Sequence, residues 1–383
     1  MNKLKSTSIS TGLAMFSMFF GAGNITFPLI IGQTVEGGLI WALLGLILTA
    51  VLVPFSGLFA ITLFEGDYES FFNRIGRWPG LAVIILLLSM IGPFGGIPRC
   101  ITLTYSTLKV YFSGLHLLTF SLISSLIIFL CSWKKNRILD LIGYVLSPLL
   151  VLFLVVIIIK GVFFSSSDPV GSSHVAHPFF YGLKEGYNTM DLLAAFFFSS
   201  LVYARLKKQQ EGKDKKGLLL PTFKASLIGA SLLSIIYIGF SYVAAHHSLA
   251  LEGTGVVQLL GRIGQIVLGH HAGLIVCMSI ALTCLTTAIA LTVICAEFLQ
   301  RRLLKSRISY EWSLVVILVT TVFVSTLEFT GIVHLLAPAL QIIYPSLLVL
   351  CLFNIFHKTF DYKPVKFPVF TTLTIVLYFQ YFI

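Results

Sequence analysis

Phe20-Gly21-Ala22-Gly23-Asn24-Ile25-Thr26-Phe27-Pro28 stands in the middle of an apolar segment that runs from about residue 8 to residue 33. Two glycines one residue apart lower helix propensity, Pro28 has no N–H to give the preceding turn, and Asn24 is polar. In a soluble helix this would be a kink lined by small residues. In lipid it says more, because backbone outside a helix is tolerated at membrane depth only where protein buries it or a cavity receives it.

The rest of the chain decides which solvent applies. Of 383 residues, 57% are hydrophobic and only 11% charged, less than half of the roughly 25% charge of a soluble protein. A soluble enzyme, a disordered chain and a peripheral protein are excluded. Leu81–Met90, Leu117–Trp133 and Leu149–Lys160 lack the apolar/polar alternation of a membrane β-strand, so the spans are helical. Apolar segments at 8–33, 39–64, 80–112, 117–133, 141–163, 174–204, 221–245, 265–299, 312–330, 331–356 and 366–383 predict an all-α polytopic membrane protein with eleven spans. The opening MNKLKSTSIS runs directly into the first span with no small-residue cleavage site, so no removable signal peptide is expected.

With the N-terminus in the cytoplasm, 21 of the 26 Lys and Arg residues fall on the cytoplasmic side. They include Lys134, Lys135 and Arg137, seven residues between Arg205 and Lys224, and Arg301, Arg302, Lys305 and Arg307. Only Arg99, Lys109, Lys160, Lys184 and Arg262 remain elsewhere. That asymmetry sets the orientation. The net charge of +11 therefore belongs to a face beside anionic lipid, not to a nucleic-acid partner.

A second interruption gives the first its meaning. Gly182-Leu183-Lys184-Glu185-Gly186-Tyr187-Asn188-Thr189-Met190-Asp191 leads into the apolar run Leu192–Val202, five spans after the first break. Corresponding breaks in two five-span halves are the mark of an inverted-repeat transporter with its site at the breaks. The halves are then 1–163 and 164–356, with 357–383 an additional C-terminal helix. The N–H groups at a positive half-helix end suit a carboxylate, and freed carbonyls suit an ammonium group or small cation. Phe196, Phe197 and Phe198 favour an apolar side chain on the ligand. A zwitterion with an apolar side chain fits all three.

Two further stretches belong to this picture. Gly92-Pro93-Phe94-Gly95-Gly96-Ile97-Pro98-Arg99 interrupts the third span, where Arg99 is either an outer gate or an interface anchor. In the eighth span, Thr283, Thr286, Thr287 and Thr292 either bond back to their own helix or supply hydroxyls to a hard cation. Sodium is the natural candidate, since no carboxylate cluster is present. Asp191 is an ionisable group beside the second break and the alternative coupling site, for protons. The six cysteines read as small packing residues, and the His246-His247 and His270-His271 pairs lack partners of metal-ligand spacing. No HExxH or GxSxG motif marks an enzyme.

Taken together, GAGNITFP, GPFGGIPRCIT, GYNTMD, LTTAIALTVICAEF and the IIYP of Ile342–Pro345 resemble the branched-chain amino acid:cation symporter family, in order, from about Leu13 to Leu352. The resemblance implies sodium-coupled uptake of leucine, isoleucine and valine across a bacterial inner membrane. It also implies the five-plus-five inverted-repeat fold of the amino acid–polyamine–organocation superfamily and the neurotransmitter:sodium symporters, with helices 1 and 6 broken. Carried onto this chain, Gly21, Ala22, Gly23, Asn24, Gly186, Tyr187 and Thr189 would meet the substrate. A sodium ion would take the hydroxyls of Thr286 and Thr287, the Thr283 carbonyl, and first-span carbonyls near Ser17 and Phe20. Ser106 stands where the family places an acidic residue, Asn188 where it is usually apolar, and Ser199–Ser200 where it has a glycine-containing pair. The family usually has twelve spans against the eleven found here; the last lies outside both repeats, so the core is expected to be intact. A proton-coupled carrier and, from another class, an ion channel are the rival functions.

The orientation is directly testable. A cysteine introduced as Lys207→Cys should react with a membrane-impermeant thiol reagent in inside-out vesicles and stay unlabelled in right-side-out ones.

Overall fold

The computed structural model describes residues 2–35, 37–133, 138–163, 175–209 and 215–382, and among these no β-strand forms. In chain order the helices are α1 (Asn2–Phe19), α2 (Ala22–Thr34), α3 (Leu39–Ile47), α4 (Val53–Leu63), α5 (Tyr68–Phe72), α6 (Arg77–Ile91), α7 (Gly96–Lys109), α8 (Leu117–Trp133) and α9 (Ile138–Phe163). They continue with α10 (Pro178–Asn188), α11 (Asp191–Gln209), α12 (Lys215–His246), α13 (Leu259–Leu268), α14 (His270–Phe298), α15 (Tyr310–Ser325), α16 (Glu328–Phe360) and α17 (Lys366–Phe382). Lys134, Lys135, Arg137 and Lys213 of the charge set expected on the cytoplasmic side, and the boundary at residue 164, lie outside the described residues.

Five helical stretches among the described residues are long and apolar enough to cross a membrane alone, or six when Ser8–Phe19 and Ala22–Thr34 count as one bent span. Shorter apolar helices, among them Leu117–Trp133, Asp191–Ala204 and Tyr310–Ser325, accompany them. α1 and α2 meet at 74°, so the first break is a true change of direction. The third span is likewise interrupted, between Ile91 and Gly96.

Two boundaries differ from the sequence expectation. The split expected at Gly331 falls at Thr326–Leu327, and Gly331 sits inside α16. The amides of Thr326 and Leu327 close tight turns on the carbonyls of Phe323 (3.2 Å) and Val324 (3.1 Å), and Glu328 then turns the chain at φ 58°. The segment expected from residue 265 starts as α14 at His270, because Gly269 at φ 80° separates it from α13. Glycine takes that conformation without steric cost.

The packing is reciprocal. α1 and α2 pack on α12, while α10 packs on α3 and α11 on α4; α7 meets α14, and α8 meets α15. Small residues bring the α3/α10 pair close. A Cβ at Gly182 would collide with the Ala42 carbonyl oxygen, one at Gly45 with the Phe179 carbonyl, and one at Gly186 with the Thr49 hydroxyl. Helices in lipid associate through such close backbone approach and through interhelical hydrogen bonds. Thr49 supplies one of these, donating to Leu183 O at 3.1 Å.

At the basic face, Asp67 caps α5 by accepting from Glu69 N (3.0 Å) and Ser70 N (3.2 Å). Arg302 Nε lies 2.6 Å from Glu69 Oε1. Phe196 packs on Phe71 and Phe72, Phe197 on Tyr68, and Phe198 on Phe19. The three phenylalanines of α11 are thus committed to an aromatic cluster with α1 and α5.

Gly182→Leu should lower thermal stability in detergent by roughly 2 kcal/mol or more, since an overpacked backbone contact cannot relax by a rotamer change. Lys184→Leu, at an exposed position of the same helix, should leave the melting temperature within the error of the measurement.

Candidate functional site

The two breaks lie against each other. A Cβ at Gly23 would stand 2.9 Å from Thr189 Cα and 3.0 Å from its carbonyl oxygen. Only glycine permits the approach, and it brings the start of α2 onto the end of α10. Gly21, extended at φ −131° and ψ −162°, opens α2. Its N–H donates to Asn24 Oδ1 at 2.9 Å, so the Asn24 side chain folds back and caps its own helix.

The other end of Asn24 is spent on the second break. Nδ2 donates to Asp191 Oδ2 at 2.7 Å and makes a short contact with the Tyr237 hydroxyl. Tyr237 donates in turn to Asp191 Oδ2 at 3.2 Å. All three are buried. One triad therefore ties α2, α11 and α12 together, and it satisfies a carboxylate that lipid would not tolerate alone. Asp191 also sits in the first turn of α11, where the helix dipole favours negative charge.

The remaining backbone of the second break is satisfied by its own residues and by two distant side chains. Met190 turns the chain at φ 62°. Thr189 Oγ1 donates to Gly186 O at 2.8 Å and accepts from Asp191 N at 3.4 Å. Leu192 N donates to the Tyr344 hydroxyl at 3.1 Å, and the Tyr344 ring stacks on Tyr187 at 4.5 Å. Arg99, 2% exposed, donates from Nη1 to Asn188 O at 2.8 Å, placing a cation at the negative end of α10.

The expected cation ligands fall into two groups. Thr287 Oγ1 of α14 approaches Phe20 O, at the end of α1, to 3.5 Å, and Gly21 lies against the Thr287 methyl group. This pair bridges the two elements. Thr286 Oγ1 donates back to Thr283 O at 2.7 Å, and Ser17 Oγ to Leu13 O at 3.0 Å. Those hydroxyls are bonded within their own helices. His246 stacks on Tyr242 and meets its carbonyl at 2.9 Å, and His247 lies 3.4 Å from Gly161 O; the His270 and His271 side chains lie outside the described residues.

Sequence reasoning misses Tyr237 and Tyr344 as site residues. Tyr344 shows only as part of IIYP, and Tyr237 carries no local mark in an apolar span.

A family model described as branched-chain amino acid transport protein matches residues 4–380. The chain belongs to that family. It is a multi-pass membrane transporter of amino acids and not an enzyme. A branched-chain amino acid permease of Bacillus subtilis, BrnQ, is 29% identical over 375 residues, covering 93% of this chain and 82% of the permease. The branched-chain amino acid transport system 3 carrier protein of Pseudomonas aeruginosa is 32% identical over 361 residues, covering 91% and 81%. Among solved structures, Mhp1, a nucleobase-cation-symport-1 family transporter in a closed conformation, superimposes with a TM-score of 0.71 at 10% identity over 97% of this chain and 91% of its own. MhsT, solved with L-phenylalanine, gives 0.62 at 13% identity over 97% and 98%. These likenesses establish the fold.

The triad makes a stability prediction. Tyr237→Phe leaves one Asn24 donor unpaired and should lower stability by about 1–3 kcal/mol. Thermal melts should show Asn24→Ala, which removes both arms, destabilised further.

Proposed function

We propose that this protein is a sodium-coupled symporter that carries leucine, isoleucine and valine inward across a bacterial inner membrane by alternating access, with its N-terminus cytoplasmic. The observation that carries the coupling is the meeting of the Thr287 hydroxyl with the Phe20 carbonyl across the first break. There the negative end of α1 points at a hydroxyl of α14, an all-oxygen setting suited to a hard monovalent cation. Thr286, the Thr283 carbonyl and Ser17 complete the proposed set. The substrate is assigned to the backbone of Gly21, Ala22 and Gly23 and to Gly186, Tyr187 and Thr189, with Asn24 holding the two breaks in register.

The reciprocal packing supports two five-span halves, 1–163 and 164–356, with 357–383 outside them. Exchanging the first span for the sixth and the second for the seventh maps the α1/α2–α12 contact onto the α10/α11–α3/α4 contact. Moving one helix group against another around paired breaks is the transport motion such a fold supports.

Proton coupling is the second reading, favoured by Asp191. Its Oδ2 accepts from Asn24 and Tyr237 within the triad, so protonation would rearrange the joint between α2, α11 and α12.

Uptake of radiolabelled leucine into proteoliposomes separates the readings. An inward sodium gradient should drive accumulation that unlabelled valine and isoleucine compete away. Thr286→Val and Thr287→Val should each raise the sodium concentration for half-maximal uptake by about tenfold, a loss of about 1.4 kcal/mol, and change leucine affinity at saturating sodium much less. Accumulation driven by a proton gradient without sodium, and abolished in Asp191→Asn, would replace sodium with protons.

A further inference from the structure

Arg99 has more hydrogen-bonding capacity than the surrounding protein uses. It is among the largest fully buried side chains, and its Nη1 is spent on Asn188 O. Nε and Nη2 are buried without a hydrogen-bond partner among the described residues. The Phe27 and Phe329 ring centroids each lie 5.1 Å from its Cζ and 6.4 Å from one another, so both rings lie against the guanidinium. Cation–π contact offsets part of the desolvation. It does not satisfy the in-plane N–H groups.

The two unpaired nitrogens share one edge of the guanidinium plane. That edge is a fork matching the two oxygens of a carboxylate. The carboxylic acids whose charge acts on Arg99 are Asp191 and Glu185, beside the neighbouring Cys100 thiol. Asp191 Oδ2 already accepts from Asn24 and Tyr237, and Glu185 Oε2 accepts from Asn188 Nδ2 at 3.1 Å. Neither is bonded to the guanidinium.

Position supplies the other half of the argument. Arg99 is bonded to the residue before Thr189, and Thr189 is the residue against which Gly23 packs. Phe27 lies one helical turn beyond Gly23 on α2. The guanidinium thus stands at the junction of the two breaks. The Gly21 N–H, at the positive end of α2, is taken by Asn24 Oδ1, which leaves that helix end with one donor fewer for an anion. We propose that Arg99 receives the α-carboxylate of the transported amino acid on its Nε/Nη2 edge, as a specificity-determining residue of the substrate site. The proposal rests on the reading of the ligand as a free amino acid.

The test is binding of leucine and of leucinol, which keeps the amine and side chain but has no carboxylate, to purified full-length protein and to Arg99→Met and Arg99→Lys. The unmutated protein should prefer leucine. Arg99→Met should lose leucine affinity on the order of 10- to 100-fold, the worth of a charge-assisted pair, with leucinol affinity unchanged; Arg99→Lys should retain part of the preference. An undiminished preference for leucine in Arg99→Met would overturn the proposal and hand the carboxylate to the backbone of Ala22 and Gly23. Equal losses for both ligands would also overturn it, making Arg99 a packing or gating residue. No binding of leucine, isoleucine or valine to the unmutated protein would overturn the substrate reading itself. Should the variants fail to fold, the ¹⁵Nε signal of Arg99 in unmutated protein should shift with leucine and not with leucinol; the absence of a leucine-dependent shift overturns the proposal.

Discussion

Backbone that leaves the helix within a bilayer has no water to bond to, and each unpaired group there costs several kcal/mol. This protein interrupts its spans near Gly21 and Thr189, and much of the architecture answers that constraint. Asn24 Oδ1 takes the Gly21 amide, Thr189 takes the Asp191 amide, Tyr344 takes the Leu192 amide, and Arg99 takes the Asn188 carbonyl. The partners come from α2, the second break itself, α16 and α7. The breaks are therefore properties of the assembled bundle, and no single span holds one open alone.

Once four half-helices end near one level, their dipoles organise the chemistry. The negative end of α1 faces the Thr287 hydroxyl, the negative end of α10 faces the Arg99 cation, and Asp191 lies in the first turn of α11. Complementary charge thus stands at helix ends where it is stabilised. An amino acid entering such a place would meet oriented backbone with little reorganisation left to do. The Asn24–Asp191–Tyr237 triad joins the segments that would have to move apart or together in transport, which makes its geometry a natural point of control.

Close packing supplies the rigidity that the breaks remove. Gly45, Gly182 and Gly186 let α3 and α10 approach at backbone distance, so the short first half of the sixth span is held along its length. Without a hydrophobic drive between helices in lipid, that approach and the Thr49 bond to Leu183 O do the work that core burial does in water.

Composition and local chemistry are legible in the chain alone. Apolar run length specifies helices, the Lys and Arg distribution predicts an orientation, and glycine, proline and polar residues inside apolar spans mark the first break at Gly21 and bracket the second, which falls at Thr189–Met190, just past Gly186. The family resemblance rests on the same motifs, and the family match bears it out. Which residues meet is settled only in the folded bundle. Tyr237 is one tyrosine in a long apolar helix, and only the α2–α11–α12 junction makes it a partner of Asn24 and Asp191. Phe196, Phe197 and Phe198 read as ligand-facing from their position after the break, yet α1 and α5 claim them. Thr286 and Thr287 are adjacent and chemically identical, but successive residues on a helix point about 100° apart. The rotation of α14 sends Thr287 to Phe20 and leaves Thr286 bonded to Thr283. Hydrophobic pattern and backbone propensity are local, so a sequence displays them; side-chain partnerships between residues such as Asn24 and Tyr237, 213 positions apart, depend on helix rotation and packing that only the assembled helices set.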